Sequence, residues 1–118
     1  MQMKLIIALV AMVAAGSAAA ESELDEVLKK APAAIYSTTN SLGSLEYCFG
    51  LVLANYGVPF VLHGEKETLM GSERTNIYLY TIQIRPVAGA SQVIVRSKDR
   101  NGYPTIKRMV EACLVQPT

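Results

Sequence analysis

The sequence predicts an α+β domain: N-terminal helices, a three- to four-stranded antiparallel meander, and a C-terminal helix packed on the same sheet face. Three observations predict it. The apolar period is helical over residues 45–56, alternates by two over residues 60–96, and is helical again over residues 106–114. The connections between the alternating runs are short and turn-like, which favours antiparallel pairing. The two cysteines of the chain, Cys48 and Cys113, fall on the apolar stripes of the helical segments that bracket the alternating region.

The segment "MQMKLIIALVAMVAAGSAAA" precedes the domain. A start carrying Lys4, an apolar stretch from Leu5 to Ala15 and an ending of small residues form the layout of a bacterial secretory signal peptide, residues 1–20, cleaved after Ala20. Its strongly apolar part is shorter than the roughly 20 residues a membrane-spanning helix needs, so no span is expected once it is removed. The chain from 21 to 118 is then one small domain in the periplasm or outside the cell.

Each element has its own signals. "SELDEVLKKAP" opens with the capping pattern Ser22-x-x-Asp25 and carries Leu24, Val27, Leu28 and Ala31 at helical spacing before Pro32 stops it. "AAIYSTTNSLGS", rich in Ser and Thr, reads as a link. In the next helix Leu45, Cys48, Phe49, Val52, Leu53 and Tyr56 form one stripe, with Glu46 in its first turn and Gly57 before Val58-Pro59 as a Schellman-type stop. Phe60 and Leu62 then alternate with Val61 and His63, and "GEKE" turns the chain into "TLMG", a hairpin.

"TNIYLYTIQIRP" is the strongest strand signal. Ile77, Leu79 and Thr81 would point one way and Tyr78, Tyr80, Ile82 and Ile84 the other, so both faces carry apolar groups and the strand belongs in the middle of the sheet. "RPVAGA" reads as a loop, "SQVIVRSK" as the next strand, and "DRNG" as the lead into a helix. That helix begins behind Pro104 and lines up Ile106, Met109, Val110, Cys113 and Leu114.

Export places both thiols in an oxidising compartment, where two inward-facing cysteines in a small domain predict a disulfide between Cys48 and Cys113. The apolar neighbours of Cys48 argue against a reactive thiolate, and there is no C-x-x-C pattern for thiol exchange.

Other chemistry is sparse. The one histidine, His63, stands near Glu65 and Glu67, a triplet that could hold a metal on a continuous strand, but Gly64 interrupts it and a charged hairpin tip is the simpler expectation. No G-x-S-x-G, Walker, dinucleotide, calcium-loop, zinc-finger or haem-attachment pattern occurs, so no catalytic residue, metal or cofactor is predicted.

Charge divides the domain. Between Glu21 and Glu73 eight acidic residues face Lys29, Lys30 and Lys66, whereas Arg74 onward supplies seven basic residues against Asp99 and Glu111. Without Lys4 the total is neutral, which argues against nucleic-acid binding. Arg85, Arg96, Lys98, Arg100, Lys107 and Arg108 could form a patch with Tyr78, Tyr80 and Tyr103 beside it, because Tyr and Arg anchor protein interfaces; that they solvate the outer face and pair with the acidic helix is the simpler expectation. The expected function is therefore a non-enzymatic exported binding module stabilised by one disulfide. Its partner would be another envelope or secreted protein, and its binding surface Tyr78, Tyr80, Arg85 and Arg96. The alternatives are a small envelope enzyme using His63 and Glu65, and a structural or stress factor that acts by assembly.

Overall fold

The computed structural model describes residues 23–115. The expected leader, residues 1–20, and the Ser22 cap lie outside the described residues. Along the chain come α1 (residues 23–29), β1 (Ala34–Thr38), α2 (Leu42–Leu53), β2 (Val58–His63), β3 (Thr68–Arg74), β4 (Ile77–Val87) and β5 (Ala90–Ser97). A 3-10 turn at Arg100–Gly102 leads into α3 (Tyr103–Val115).

The α+β class is as expected, but the antiparallel sheet has five strands in the order β1-β5-β4-β3-β2 rather than three or four. The additional strand is β1, inside the segment read as a link. It pairs with β5, placing Ala34 opposite Val95 and Tyr36 opposite Val93. Ile35, Tyr36 and Thr38 are strand formers, but five residues beside a run of Ser and Thr show too little alternation to stand out. α2 then carries the chain from the β1 edge across the sheet to the β2 edge.

One face of the sheet holds the core. Met70, Tyr80, Ile82, Ile84, Val93 and Val95 pack against Leu45, Phe49, Val52 and Leu53 of α2 and Ile106, Val110 and Cys113 of α3. Each large apolar side chain buried there contributes about 1.5–3 kcal/mol. The stripes read from the sequence on both helices are the ones that meet the sheet, except that Met109 is 38% exposed and stands outside this core.

α1 does not join this layer, contrary to the expectation that the helices share one face. Val27 and Ile94 are buried yet stand outside that core, and Arg96 Nε donates to the Lys30 carbonyl at the end of α1 at 3.0 Å. Ile94 and Arg96 alternate with Val93 and Val95, so α1 covers the opposite face at its β5 side. A strand apolar on both faces needs cover on both.

The ends of α2 also differ from expectation. Ser41 caps the helix, its Oγ accepting from Ser44 N at 3.2 Å, so Glu46 lies one turn further in than the first-turn position predicted. At the other end Asn55 Nδ2 donates to the carbonyls of Leu51 and Val52. Gly57 sits beyond the cap with φ 150°, serving a close approach to β3 rather than a Schellman stop. The last carbonyls of α3 are met from the link after β1: Asn40 Nδ2 donates to Cys113 O at 2.9 Å and Leu114 O at 3.2 Å.

Two tight turns have consecutive residues at positive φ, Thr75-Asn76 and Ala88-Gly89, the geometry whose twist suits a two-residue hairpin. Arg85 to Val87, read as loop, therefore continue β4. Pro86 is tolerated because it opposes Ser91 on one side, while β3 reaches only as far as Ile84 on the other.

On the core face the hydroxyls of Tyr36 and Tyr103 bond to each other, and Tyr36 donates to Glu111 Oε2 at 3.0 Å. Burial, first, raises the phenols of Tyr36, Tyr103 and Tyr80 above their ordinary value of 10. The folded chain thus keeps protons that the unfolded chain releases, so stability is whole below pH 10 and falls as pH rises beyond it. Urea unfolding at increasing pH above 10 should show that fall, with a shallower slope in Tyr36→Phe; an unchanged slope would contradict the assignment.

Candidate interaction surface

With α1 covering the β5 side, the sheet face opposite the core remains accessible at Phe60 and Leu62 of β2 and at Tyr78 and Arg85 of β4, while Thr81 and Gln83 in the middle of β4 are buried. Two groups of side chains occupy it. The first is aromatic. A Cβ on Gly71 would lie 2.6 Å from Phe60 Cζ and 3.0 Å from Tyr80 O, so the glycine lets the Phe60 ring lie directly on β3. That ring meets Tyr78 edge to face at 5.8 Å, the arrangement favoured by ring quadrupoles.

The second group is a polar ladder from the turn before β3 across β4 to β5. Arg96 Nη1 donates to Gln83 Oε1 at 2.7 Å, Gln83 Nε2 to Glu67 Oε2 at 2.6 Å, and Arg85 Nε to the same carboxylate oxygen at 2.8 Å. Gln83 is only 8% exposed and uses both ends of its amide, so it spaces the charged groups rigidly. The hydrogen bond from Arg85, then that from Gln83, holds the Glu67 carboxyl below its usual range. Burial lowers the Arg96 guanidinium, and the charge of Arg85 adds to this. Two guanidiniums against one carboxylate, which only Arg85 bonds directly, leave the ladder with net positive charge, and half-exposed Arg85 retains N–H groups for an incoming acceptor.

Of the four residues expected to form a surface, Tyr78, Arg85 and Arg96 share this face and Tyr80 does not. Tyr80 is 6% exposed, stacks edge-on with Tyr56 at 5.0 Å, and donates its hydroxyl to Gly102 O at 2.9 Å. Tyr80 follows the alternation of Ile82 and Ile84 onto the core, and Tyr78 leaves that series because of a β-bulge: Gly71 opposes Thr81 while Glu73 opposes Tyr78, so β4 fits one more residue into the interval than β3. The extra residue reverses the facing of everything before it. Leu79 consequently packs on the core. Phe60, Glu67 and Gln83 were not foreseen as members of this surface; a glycine inside a strand pattern was the available sign of a close approach over Gly71.

The remaining candidates lie elsewhere. His63 Nε2 meets Glu46 Oε1 of α2 at 2.6 Å, with the His63 side chain 63% exposed. Among the described residues no three His, Cys, Asp or Glu side chains are gathered to hold a metal ion. Lys98 is paired with Glu23 of α1, and Lys107 and Arg108 are exposed on α3, so the basic run does not make one patch. Cys48 and Cys113 are joined as a disulfide, Cα to Cα 5.7 Å, between α2 and α3.

No family model, curated protein or solved structure matches the chain. Fold and surface alone define its class: a small α+β domain with a disulfide between two helices and a partly open sheet face. Among the described residues no helix is long and apolar enough to cross a membrane.

Proposed function

We propose that the chain is an exported, non-enzymatic interaction module that binds another envelope or secreted protein through the open sheet face at Phe60, Tyr78 and Arg85. The observation that carries the reading is the Phe60–Tyr78 pair seated on Gly71. It gives a fixed aromatic platform on the same sheet face as a guanidinium that Glu67 holds in place further along β4, and aromatic and Arg side chains with little freedom left to lose make good interface anchors. The matching segment would put an apolar or aromatic side chain on Phe60 and Tyr78 and a carboxylate on Arg85. Export is supported by the leader pattern and by the paired sulfurs. Pairing of both cysteines leaves no free thiol to act as a nucleophile among the described residues.

The test is capture from envelope extract on immobilised mature protein. The doubly substituted Tyr78→Ala, Arg85→Ala protein should retain less than a tenth of the captured partner, whereas Leu51→Ala, Met109→Ala, altered beside the disulfide, should retain it all. Equal capture by both variants would remove the open face from consideration.

A further inference from the structure

β2 ends the sheet opposite β1. Gly64 N donates to Glu67 O at 2.8 Å across the turn. Antiparallel alternation then makes Leu62 and Phe60 the residues whose backbone groups bond to β3, and His63, Val61 and Pro59 those whose groups point outward. Pro59, having no N–H, suits an edge. Val61 and His63 each present a donor and an acceptor. The strand carries no charge from Val58 to Leu62, and Val58, Val61 and Leu62 are 71%, 39% and 53% exposed. Natural sheets usually protect such an edge with charged side chains.

We propose that this edge takes a second copy of the chain, β2 against β2, antiparallel about a two-fold axis at Val61. Val61 then exchanges both backbone bonds with its twin, and each His63 N–H donates to the other copy's Pro59 carbonyl, so the missing Pro59 donor costs little. Phe60 comes to lie opposite Leu62 of the second copy on the open face. An axis at Phe60 would place Pro59 in both central pairs and lose half their bonds.

An axis at Leu62 would keep the bonds, and charge decides between it and Val61. With the axis at Val61, the turn bearing Glu65 lies opposite Gly57 of the second copy. There the Arg74 Cβ is 3.5 Å from where a Gly57 Cβ would stand. Neither Glu65 nor Arg74 makes a salt bridge among the described residues, and symmetry creates the Glu65–Arg74 encounter twice. With the axis at Leu62, Glu65 meets Pro59 instead and Arg74 is left out. The interface is isologous and closes on itself as a dimer. It uses the edge of β2 rather than the open face, so either proposal can fail alone.

Sedimentation of the mature protein over a hundredfold concentration range should show a monomer–dimer equilibrium. V61K should raise the dissociation constant at least tenfold, and I35K, on the β1 edge, should leave it unchanged. R74E should weaken the dimer, and adding E65R should restore it. Under mild oxidation V61C should cross-link two chains, because twin residues in a bonded antiparallel pair have Cα atoms about 5.5 Å apart, within disulfide reach; L62C should cross-link far less. Circular dichroism of each variant checks the fold. A monomer at every concentration, or cross-linking through L62C in preference to V61C, overturns the proposal.

Discussion

Replacing Cys48 and Cys113 together by alanine is expected to lower the unfolding free energy by about 4 kcal/mol, the loop-closure entropy of a bridge of this span. The bridge joins residues 65 apart in sequence, so it removes much of the freedom of the unfolded chain. A small domain has only about 5–15 kcal/mol of net stability, and the doubly substituted protein should unfold at a much lower urea concentration. Reduction of the native protein should act similarly, and both should spare the binding surface, because Phe60, Tyr78 and Arg85 stand on the sheet face away from α2 and α3. Urea titrations with and without reductant make the comparison. A difference below about 1 kcal/mol would mean the bridge adds little to helices already fixed by the sheet.

The second large effect is expected at Gly57. Its φ of 150° is a conformation L residues rarely adopt, and a Cβ there would stand 2.7 Å from the Glu73 carbonyl oxygen, a backbone atom that moves only if β3 moves. Gly57→Ala should cost about 2–3 kcal/mol, combining backbone strain with displacement of β2 from β3. Gly43→Ala is the contrasting substitution. Gly43 lies in α2 with nothing within 4 Å of its Cβ position, so alanine there should stabilise the domain by up to about 1 kcal/mol through helix propensity. If the two substitutions had similar effects in urea, the close approach at Gly57 would be disproved. Because Gly57 sets where β2 begins, its alanine variant should also weaken partner capture by displacing Phe60, an effect Gly43→Ala should not share.

The elements that could be read from the chain alone are those whose signal is contained within them. α2 and α3 carry their stripes over several turns, and the hairpin of β2 and β3 announces itself by alternation around "GEKE". The inward placement of both sulfurs follows from the same stripes, and with two cysteines the pairing has one solution. Where short segments depend on distant partners, reading was poorer. β1 is held by β5, and Asn40 and Thr38 by the end of α3; nothing in "IYSTTN" shows those partners. The contact of His63 with Glu46 joins β2 to α2 across 17 residues, whereas proximity in sequence pointed to Glu65 and Glu67.

Helical and strand periods, the hairpin around "GEKE" and the candidate disulfide were thus properties of the sequence itself, because burial of an apolar stripe requires only its own spacing and a surface to meet. Tertiary structure decided which surface each stripe met and which side chains shared a face. α1 went to the far side of the sheet because Ile94 needed cover there, and Tyr78 was separated from Tyr80 because β4 holds one residue more than β3 between Gly71 and Glu73. That difference is a relation between two strands, and the facing of Tyr78 follows from their pairing rather than from either strand alone.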